Sequence, residues 1–154
     1  MDINNKDNIN GKLCRMLLYI PRLYRAIMSE RIAEFGLFAN QPPILHFISK
    51  KGSLTQKELA DEFLVAPPTM TDTIQRLEKA GYIKRQPDKN DARVMRVCLT
   101  PKGDEIRQKT SSHFQSVAAG LLDDFSPEEK ERLLLLLCRI TENLERMRQN
   151  DKTT

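Results

Sequence analysis

The sequence predicts a mainly α-helical chain with one small β-hairpin, and three observations carry that prediction. Stripes of apolar residues recur at helical spacing near both ends of the 154 residues. Two short helices joined by a tight turn are predicted in the middle of the chain. Two segments in which apolar and polar residues alternate follow them, joined by turn-forming residues at 87–92. The length suits one ordinary domain with short appendages.

The composition is that of a soluble globular protein. Hydrophobic residues make up 40% of the chain and charged residues 30%. The longest apolar run, residues 133–138, is far shorter than the roughly 20 residues that cross a bilayer. The N-terminus lacks the pattern of a signal peptide, so we expect a cytoplasmic protein with no membrane partner. Three cysteines without a CxxC pair argue against a disulfide scaffold or a zinc knuckle.

The first predicted helix covers residues 11–35. Its apolar face consists of Leu13, Leu17, Ile20, Tyr24 and Ile27. Pro21 lies within this stripe, so we expect a kink or a break at that position. A second helix is predicted from Pro42 to Lys50 and is closed by Gly52.

The next two predicted helices form a helix-turn-helix. Thr55 caps the first of them, and Glu58, three residues later, completes a capping box. Leu59 and Phe63 supply its buried face. Pro67 suits the first position of the second helix, where the missing N–H has no helical partner.

The second helix of this pair has two different faces. Met70, Ile74 and Leu77 give it an apolar inner face, and Gly81 ends it. The side chains predicted on its outer face are Thr69, Thr71, Asp72, Thr73, Gln75 and Arg76. Such small and hydrogen-bonding side chains suit contact with base edges in a DNA major groove.

A β-hairpin is predicted directly after Gly81, with strands at 82–86 and 93–99. We expect one face of the second strand to point to the core, with Met95, Val97 and Leu99. We expect the other side to carry Val94, Arg96 and Cys98. A helix-turn-helix followed at once by a β-hairpin is a winged helix.

Two further helices close the chain, beginning after Thr100 and after Ser126, where Glu129 repeats the capping-box pattern. The apolar stripe of the last helix consists of Leu133, Leu137, Ile140, Leu144 and Met147. A small winged helix cannot easily cover apolar stripes at both ends of the chain. We therefore expect a partner chain.

The net charge of +4 is concentrated in one stretch. Between Arg76 and Arg96, seven basic residues stand against three acidic ones, which accounts for the full excess. A charge run of this kind is often only a solvated face. Beside a predicted recognition helix it instead favours double-stranded DNA as a partner, because affinity comes from neutralising phosphates.

The hairpin tip offers a specific contact. We expect Arg93 to enter a DNA minor groove and Asp91 to pair with Arg93 and hold it extended. Lys84 and Lys89 would meet phosphates. The alternative is that Asp91 and Arg93 only stabilise the hairpin, as a surface ion pair that contributes about 0–1 kcal/mol to stability.

Four motifs in register resemble those of the MarR family of transcription regulators. They are the TQxELA helix at 55–60, the RLExxGxIxR segment at 76–85, the DxR wing at 91–93 and the LTxxG exit at 99–103. The resemblance implies a homodimeric winged-helix repressor that binds a pseudo-palindromic operator and releases it on ligand binding or oxidation.

The same resemblance implies a division of the chain and roles for its residues. Residues 1–40 and 101–154 would form the dimerisation helices, and residues 41–100 the DNA-binding domain. Arg93 would be the minor-groove residue and Asp91 its support. The major-groove face would carry Thr71, Asp72, Gln75 and Arg76.

Three kinds of signal remain open from the sequence. The family's usual effector is a small aromatic or amphipathic molecule, and candidate pocket residues are Met28, Phe35, Phe38 and Phe47, although core packing explains them equally well. Thiol oxidation at Cys14 is a second hypothesis. Metal sensing by His46 and His113 with Glu30 or Glu34 is a third, although lone histidines are more often structural.

The sequence does not favour catalysis. It contains no GxSxG, P-loop or HExxH motif and no paired carboxylates, so we expect neither an enzyme nor a cofactor. The more serious alternative is a winged helix that serves as a protein-interaction or architectural module, because a fold alone does not fix a function.

Overall fold

The computed structural model describes residues 9–151, which form six α-helices and a three-stranded sheet. The helices are α1 (Ile9–Ile32), α2 (Gln41–Lys51), α3 (Gln56–Glu62), α4 (Pro67–Lys79), α5 (Pro101–Leu121) and α6 (Pro127–Asn150). The strands are β1 (Ser53–Thr55), β2 (Ile83–Pro87) and β3 (Met95–Leu99). The outer ends of the two predicted dimerisation segments, residues 1–8 and 152–154, lie outside the described residues.

The chain divides into two compact units after Gln115. The first unit contains α1–α4, the sheet and most of α5, and the second, from Ser116, contains α6. Among residues 9–151, no helix is both long and apolar enough to cross a bilayer. The mainly α-helical fold with a β-hairpin wing is confirmed.

One apolar core holds the first unit together. Its fully buried side chains include Met28, Ile32, Leu45, Ile48, Leu59, Met70, Ile74, Leu77 and Ile83. They come from α1, α2, α3, α4 and β2, so every one of these elements is anchored. Burying one such side chain contributes about 1.5–3 kcal/mol. The helix-turn-helix is therefore packed into the core of this unit.

Local signals at the helix starts are confirmed. Thr55 Oγ1 accepts a hydrogen bond from Glu58 N at 3.1 Å, and Glu58 Oε2 accepts one from Thr55 N at 2.7 Å. Ser126 and Glu129 exchange the equivalent bonds at the start of α6, at 3.2 and 2.8 Å. Each box satisfies two of the four N–H groups that a helix start leaves unpaired.

A kink or a break is predicted at Pro21; the break is wrong, and the kink stays a prediction. The helix α1 continues from Ile9 to Ile32 with Pro21 inside it, and a short 3-10 turn at Ala33–Phe35 follows. Proline removes one backbone hydrogen bond of the helix, and its ring clashes with one preceding carbonyl group. The helical turns on both sides keep their own hydrogen bonds. A long helix can therefore continue through it.

The sheet contains a strand that the sequence did not predict. Its strand order is β1-β3-β2, with both neighbours antiparallel to β3. Leu54 pairs with Val97, and Ser53 pairs with Cys98. Val97 and Cys98 point to opposite faces of β3, and both are buried, at 2% and 8% exposure. The prediction that only one face of β3 is buried is wrong at Cys98.

The outer end of β3 also departs from the prediction. Met95 was expected to face the core but is 46% exposed. It pairs with Pro87 at the far end of the hairpin, beyond the three residues that β1 covers. An alternating pattern marks the two faces of a strand, but it does not show how far the core reaches along it.

Hydrogen bonds connect the residue that follows β3 to the residues that follow α4. Thr100 N donates to Tyr82 O at 3.0 Å, and Thr100 Oγ1 donates to Gly81 O at 2.7 Å. A Cβ atom placed on Gly103 would lie 1.8 Å from Tyr82 O. The LTxxG motif therefore has a structural reason, because only glycine allows this close approach.

Candidate nucleic-acid interface

The candidate interface is built on α4, which has one face in the core and one exposed face. Pro67 and Pro68 occupy its first turn. Met70, Ile74 and Leu77 are at most 1% exposed, so they fix the helix within the first unit. The exposed side chains of the opposite face are Thr69, Asp72, Gln75 and Arg76, in the positions that the sequence predicted.

Thr73 does not belong to this exposed face. It is 7% exposed, and its hydroxyl donates to Thr69 O at 3.0 Å and accepts from Asn40 Nδ2 at 3.5 Å. The prediction that Thr73 is exposed is wrong. It lies three residues after Met70 and therefore falls within the buried stripe of the helix.

Thr71 joins the two helices of the helix-turn-helix. Its hydroxyl accepts a hydrogen bond from Gln56 Nε2 at 2.6 Å and donates to Pro67 O at 2.9 Å. Thr71 is half-buried. Its hydroxyl thus sets the position of α4 relative to the first turn of α3.

Arg76 reaches out of α4 toward the connection between α1 and α2. Its guanidinium carbon lies 5.1 Å from the centre of the Phe38 ring. Phe38 is 56% exposed, so the two side chains form a cation–π contact at the surface. This contact links a predicted effector residue to a predicted DNA-facing residue.

The wing, residues 83–99, consists of β2, β3 and the loop between them. Asp88 N donates to Val94 O at 2.8 Å and closes that loop. Lys84, Lys89 and Arg93 are exposed. The wing follows α4 within the same compact unit, so the exposed face of α4 and these cations belong to one body.

The predicted pairing of Asp91 with Arg93 takes another form. Asp91 Oδ1 accepts a hydrogen bond at 3.0 Å from the backbone N–H of Arg93. Within residues 9–151, no ion pair joins the two side chains. An aspartate commonly closes a turn in this way, by accepting from an amide two residues on. Asp91 therefore shapes the backbone, and the Arg93 guanidinium extends from it.

Sequence reasoning missed the central ion pair of the wing. Arg96 Nε donates to Asp88 Oδ2 in a short hydrogen bond, and Arg96 Nη1 lies 3.8 Å from Glu58 Oε2. Arg96 Nη1 also donates to Ser53 O at 3.4 Å. The sequence does indicate a role for Asp88, because it is an aspartate at the start of a turn. Its arginine partner could not be predicted, because the pairing depends on strand register.

These contacts change the acidity of the carboxyl groups. The hydrogen bond from Arg96, followed by the backbone N–H of Asn90, lowers the pKa of the Asp88 carboxyl. The backbone and side chain of Thr55 lower the pKa of Glu58, and Arg96 adds to that effect. Both carboxylates are therefore ionised at neutral pH.

Comparisons with known proteins agree on one family. The sequence model of the MarR family matches residues 39–95, which run from the start of α2 into the wing. The HTH-type transcriptional regulator YwoH of Bacillus subtilis (strain 168) is 31% identical over 123 residues, covering 80% of this chain and 89% of that protein. The chain belongs to the MarR family. It is a helix-turn-helix transcriptional regulator of that family.

Solved structures match the MarR fold over most of the chain. A MarR protein from Peptoclostridium difficile has a TM-score of 0.83 at 26% identity, covering 96% of this chain and 94% of that one. A mutant MarR from E. coli complexed with operator DNA has a TM-score of 0.77 at 24% identity, covering 83% of this chain and 92% of that one. The second likeness supports the fold alone.

The basic excess of this MarR-family chain is only partly available to a ligand. Arg85 Nε lies 3.3 Å from Glu78 Oε2, and Arg96 is paired with Asp88 and Glu58. The wing cations that have no ion-pair partner among residues 9–151 are Lys84, Lys89 and Arg93.

The predicted effector residues have separate environments. The ring of Phe35 packs edge-on against His113 of α5, with centroids 5.4 Å apart. The ring of Phe47 packs against Phe63 at the end of α3, with centroids 5.8 Å apart. Phe38 lies under Arg76, and Met28 is a core residue at 1% exposure. Of the four, Phe38 alone has a mostly exposed side chain.

The residues of the other two sensing hypotheses also have clear positions. Cys14 is exposed on α1. His113 Nε2 lies 3.6 Å from Glu34 Oε1, and His46 is exposed on α2. Among residues 9–151, no three His, Cys, Asp or Glu side chains are grouped as metal ligands.

Proposed function

We propose that this MarR-family regulator is a homodimeric repressor that binds a pseudo-palindromic DNA operator and releases it when a small molecule binds. The dimerisation segments are residues 1–40 and 101–154, and the DNA-binding domain is residues 41–100. The observation that carries the proposal is the exposed polar face of α4 in one compact unit with a cationic wing.

In this proposal α4 lies in the major groove. Thr69, Gln75 and Arg76 are exposed there and can donate to base edges, and Asp72 can accept from a cytosine N4. Thr71 supports the helix through Gln56 instead of reading a base. The E. coli MarR whose structure contains operator DNA shares the fold, which supports DNA as the partner in this proposal.

The wing supplies the second contact. The Arg93 side chain is exposed, and its backbone is set by the Asp91 carboxylate, so it can enter an adjacent narrow minor groove. Lys84 and Lys89 are exposed on the same wing and can meet phosphates. Contacts to phosphate fix position, whereas α4 and Arg93 carry the sequence preference.

The homodimer is supported by apolar side chains at both ends of the chain. On α1, the exposed ones include Leu13, Leu17, Leu18, Ile20 and Leu23. On α6, they include Leu134, Leu135, Leu137, Leu144 and Met147. Many exposed large apolar side chains on one helix are typical of a protein–protein interface. A second copy of the chain is the partner that gives a two-fold operator its two half-sites.

The release step is supported by Phe38. Its ring is 56% exposed and carries the Arg76 guanidinium at 5.1 Å. A small aromatic effector that stacks on Phe38 would displace Arg76 and so disturb the face of α4. In this proposal Phe35, Phe47 and Met28, which have separate environments, do not contact the effector.

Fluorescence anisotropy on DNA from upstream of the chain's own gene tests the proposal. A scrambled duplex is the DNA control, and each titration is repeated over a salt series. Arg93→Ala removes the wing contact, and Lys50→Ala removes one exposed positive charge at the end of α2, which belongs neither to α4 nor to the wing. We expect salt-sensitive preference for the upstream DNA, weakened by Arg93→Ala and kept by Lys50→Ala.

Other outcomes would contradict the proposal in different ways. Equal weak binding to both duplexes would contradict sequence-specific regulation at that locus. No binding at low salt would reject DNA as the partner and favour a protein-interaction module.

A further inference from the structure

Arg96 connects the wing to two other parts of the first unit, α3 and β1. It lies on β3, where its Nε donates to Asp88 at the start of the wing loop. Its Nη1 lies 3.8 Å from Glu58 of α3 and donates at 3.4 Å to the carbonyl of Ser53 in β1. One guanidinium therefore ties the wing loop to the helix-turn-helix.

Asp88 carries this connection into the loop. While its Oδ2 accepts from Arg96, its Oδ1 accepts from the backbone N–H groups of Asn90 at 2.8 Å and Asp91 at 3.2 Å. Asp91 Oδ1 in turn accepts from Arg93 N at 3.0 Å. Arg96, Asp88 and Asp91 thus form an unbroken series of polar contacts that ends at the Arg93 backbone.

We propose that Arg96 and Asp88 are positioning residues that hold the wing loop so that Arg93 reaches DNA. This inference rests on the proposed function. Backbone hydrogen bonds in the seven-residue hairpin tip run from Asp88 N to Val94 O and from Val94 N to Asp91 O, and they leave other conformations accessible to residues 89–90. The carboxylate of Asp88 restricts them by fixing two successive amides.

Arg96 is poorly suited to contact DNA itself. Asp88 and Glu58 offset its charge, and its guanidinium already donates to Asp88 and to the Ser53 carbonyl. A phosphate contact would require it to abandon this arrangement. Its effect on DNA must therefore pass through the loop.

A double-mutant cycle separates positioning from a direct or merely structural role. Arg96→Leu is measured in the wild type and in the Arg93→Ala background, with the full-length protein and the same operator duplex. We expect Arg96→Leu to weaken binding about tenfold in the wild type, within the range of residues coupled in one network. In the Arg93→Ala background we expect almost no further loss.

Arg96→Lys tests whether the charge alone matters. Lysine keeps the positive charge but lacks the planar fork that reaches Asp88, Glu58 and Ser53 together. We expect Arg96→Lys to weaken DNA binding nearly as much as Arg96→Leu. Full binding by Arg96→Lys would show that only the charge counts and would overturn the inference.

Asp88→Asn tests the inference by the direction in which DNA affinity changes. Removing an acidic side chain beside DNA strengthens binding if electrostatics alone acts. Positioning predicts weaker binding, because asparagine is a poorer acceptor for Arg96. Asp61→Asn is the matched control, since the Asp61 side chain is exposed and has no ion-pair partner among residues 9–151; it should leave binding unchanged.

The outcomes distinguish this inference from the proposed function. Failure of the wild type to bind any duplex would overturn both. The wild type could instead bind the operator, with a loss of affinity for Arg93→Ala. If the effects of Arg93→Ala and Arg96→Leu on affinity were then additive, only the positioning role would be overturned. Thermal unfolding of each variant identifies any that fails to fold, and Asp88→Asn then decides the matter without Arg96→Leu.

Discussion

Gln56 Nε2 donates a hydrogen bond to Thr71 Oγ1 over 2.6 Å, and this contact joins the first turn of α3 to the first half of α4. The two residues are 15 positions apart and lie on either side of the turn that separates the helices. The same Thr71 hydroxyl donates to Pro67 O. The outer face of α4 is therefore held by its own polar side chains as well as by the core beneath it.

Replacing Thr71 with valine tests this arrangement. Thr71→Val keeps the shape of the side chain but removes both hydrogen bonds, so we expect a loss of about 0.5–1.5 kcal/mol in the free energy of unfolding. DNA affinity should fall as well. Thr71→Ser keeps the hydroxyl and is the control. Urea unfolding followed by circular dichroism measures the loss, and equal stability of the two variants would contradict the role of the hydroxyl.

Gly103 should tolerate no side chain. A Cβ at this position would lie 1.8 Å from Tyr82 O and 2.8 Å from Tyr82 C, both backbone atoms. We expect Gly103→Ala to destabilise the protein by about 1–3 kcal/mol, as overpacking typically does. Chemical unfolding measures the change.

Gly120 in the same helix is the matched control. Nothing lies within 4 Å of a Cβ built there. Alanine also has the higher helix propensity, so Gly120→Ala should stabilise by about 0.5–1 kcal/mol. If both substitutions had the same effect, the close approach at Tyr82 would not be the cause.

The Asp88 contacts make stability depend on acid pH. Arg96 first, and then the amides of Asn90 and Asp91, lower the pKa of Asp88 below its ordinary value of 3.8 in the folded state. The unfolded chain then binds more protons in this range, so stability rises with pH. The contribution is complete above the unfolded pKa and disappears as the pH falls through the folded value.

Asp88→Asn should therefore lose stability at neutral pH and approach the wild type in acid. Urea midpoints measured from about pH 6 to about pH 3 follow the difference between the two proteins. Glu58 also lies beside Arg96 and has a lowered pKa, so both proteins retain some acid dependence. A difference that stayed constant across the series would contradict the assignment to Asp88.

The apolar face of α6 should control the oligomeric state. Leu137 is 42% exposed in the single chain, and a second copy would cover it. Leu137→Glu should weaken the dimer by at least about 100-fold, because it removes apolar contact and buries a charge. Arg139→Glu, which places the same side chain off the stripe, is the control. Sedimentation velocity distinguishes dimer from monomer, and a monomeric wild type would contradict the proposed dimer.

Local signals in the sequence predicted the fold well. The Thr55–Glu58 capping box and the glycine that closes α2 depend on neighbours within three or four residues. The strand β1 was missed because its three residues become a strand only by pairing with β3, more than 40 residues later. Pro21 does not break α1, because a single lost hydrogen bond does not end a long helix.

The candidate site was predicted in outline and missed in its internal contacts. The exposed face of α4 follows from helical spacing, and the same spacing places Thr73 in the core when it is counted from Met70. Arg96 was counted as part of a basic patch, yet its contacts with Asp88 and Glu58 depend on sheet register and on the path of α3. No pattern within a few residues carries that information.

Hydroxyl-radical footprinting of the wild type and Arg93→Ala on an operator duplex tests the central claim most directly. For the wild type we expect protected sugars in two sets related by a two-fold axis, with half-sites one helical turn or a multiple of it apart, about 10 base pairs per turn. Arg93→Ala should lose only the outer, minor-groove protection and keep that from α4. A single unsymmetrical footprint, or one that Arg93→Ala leaves unchanged, would contradict a dimer that reads DNA with α4 and the wing together.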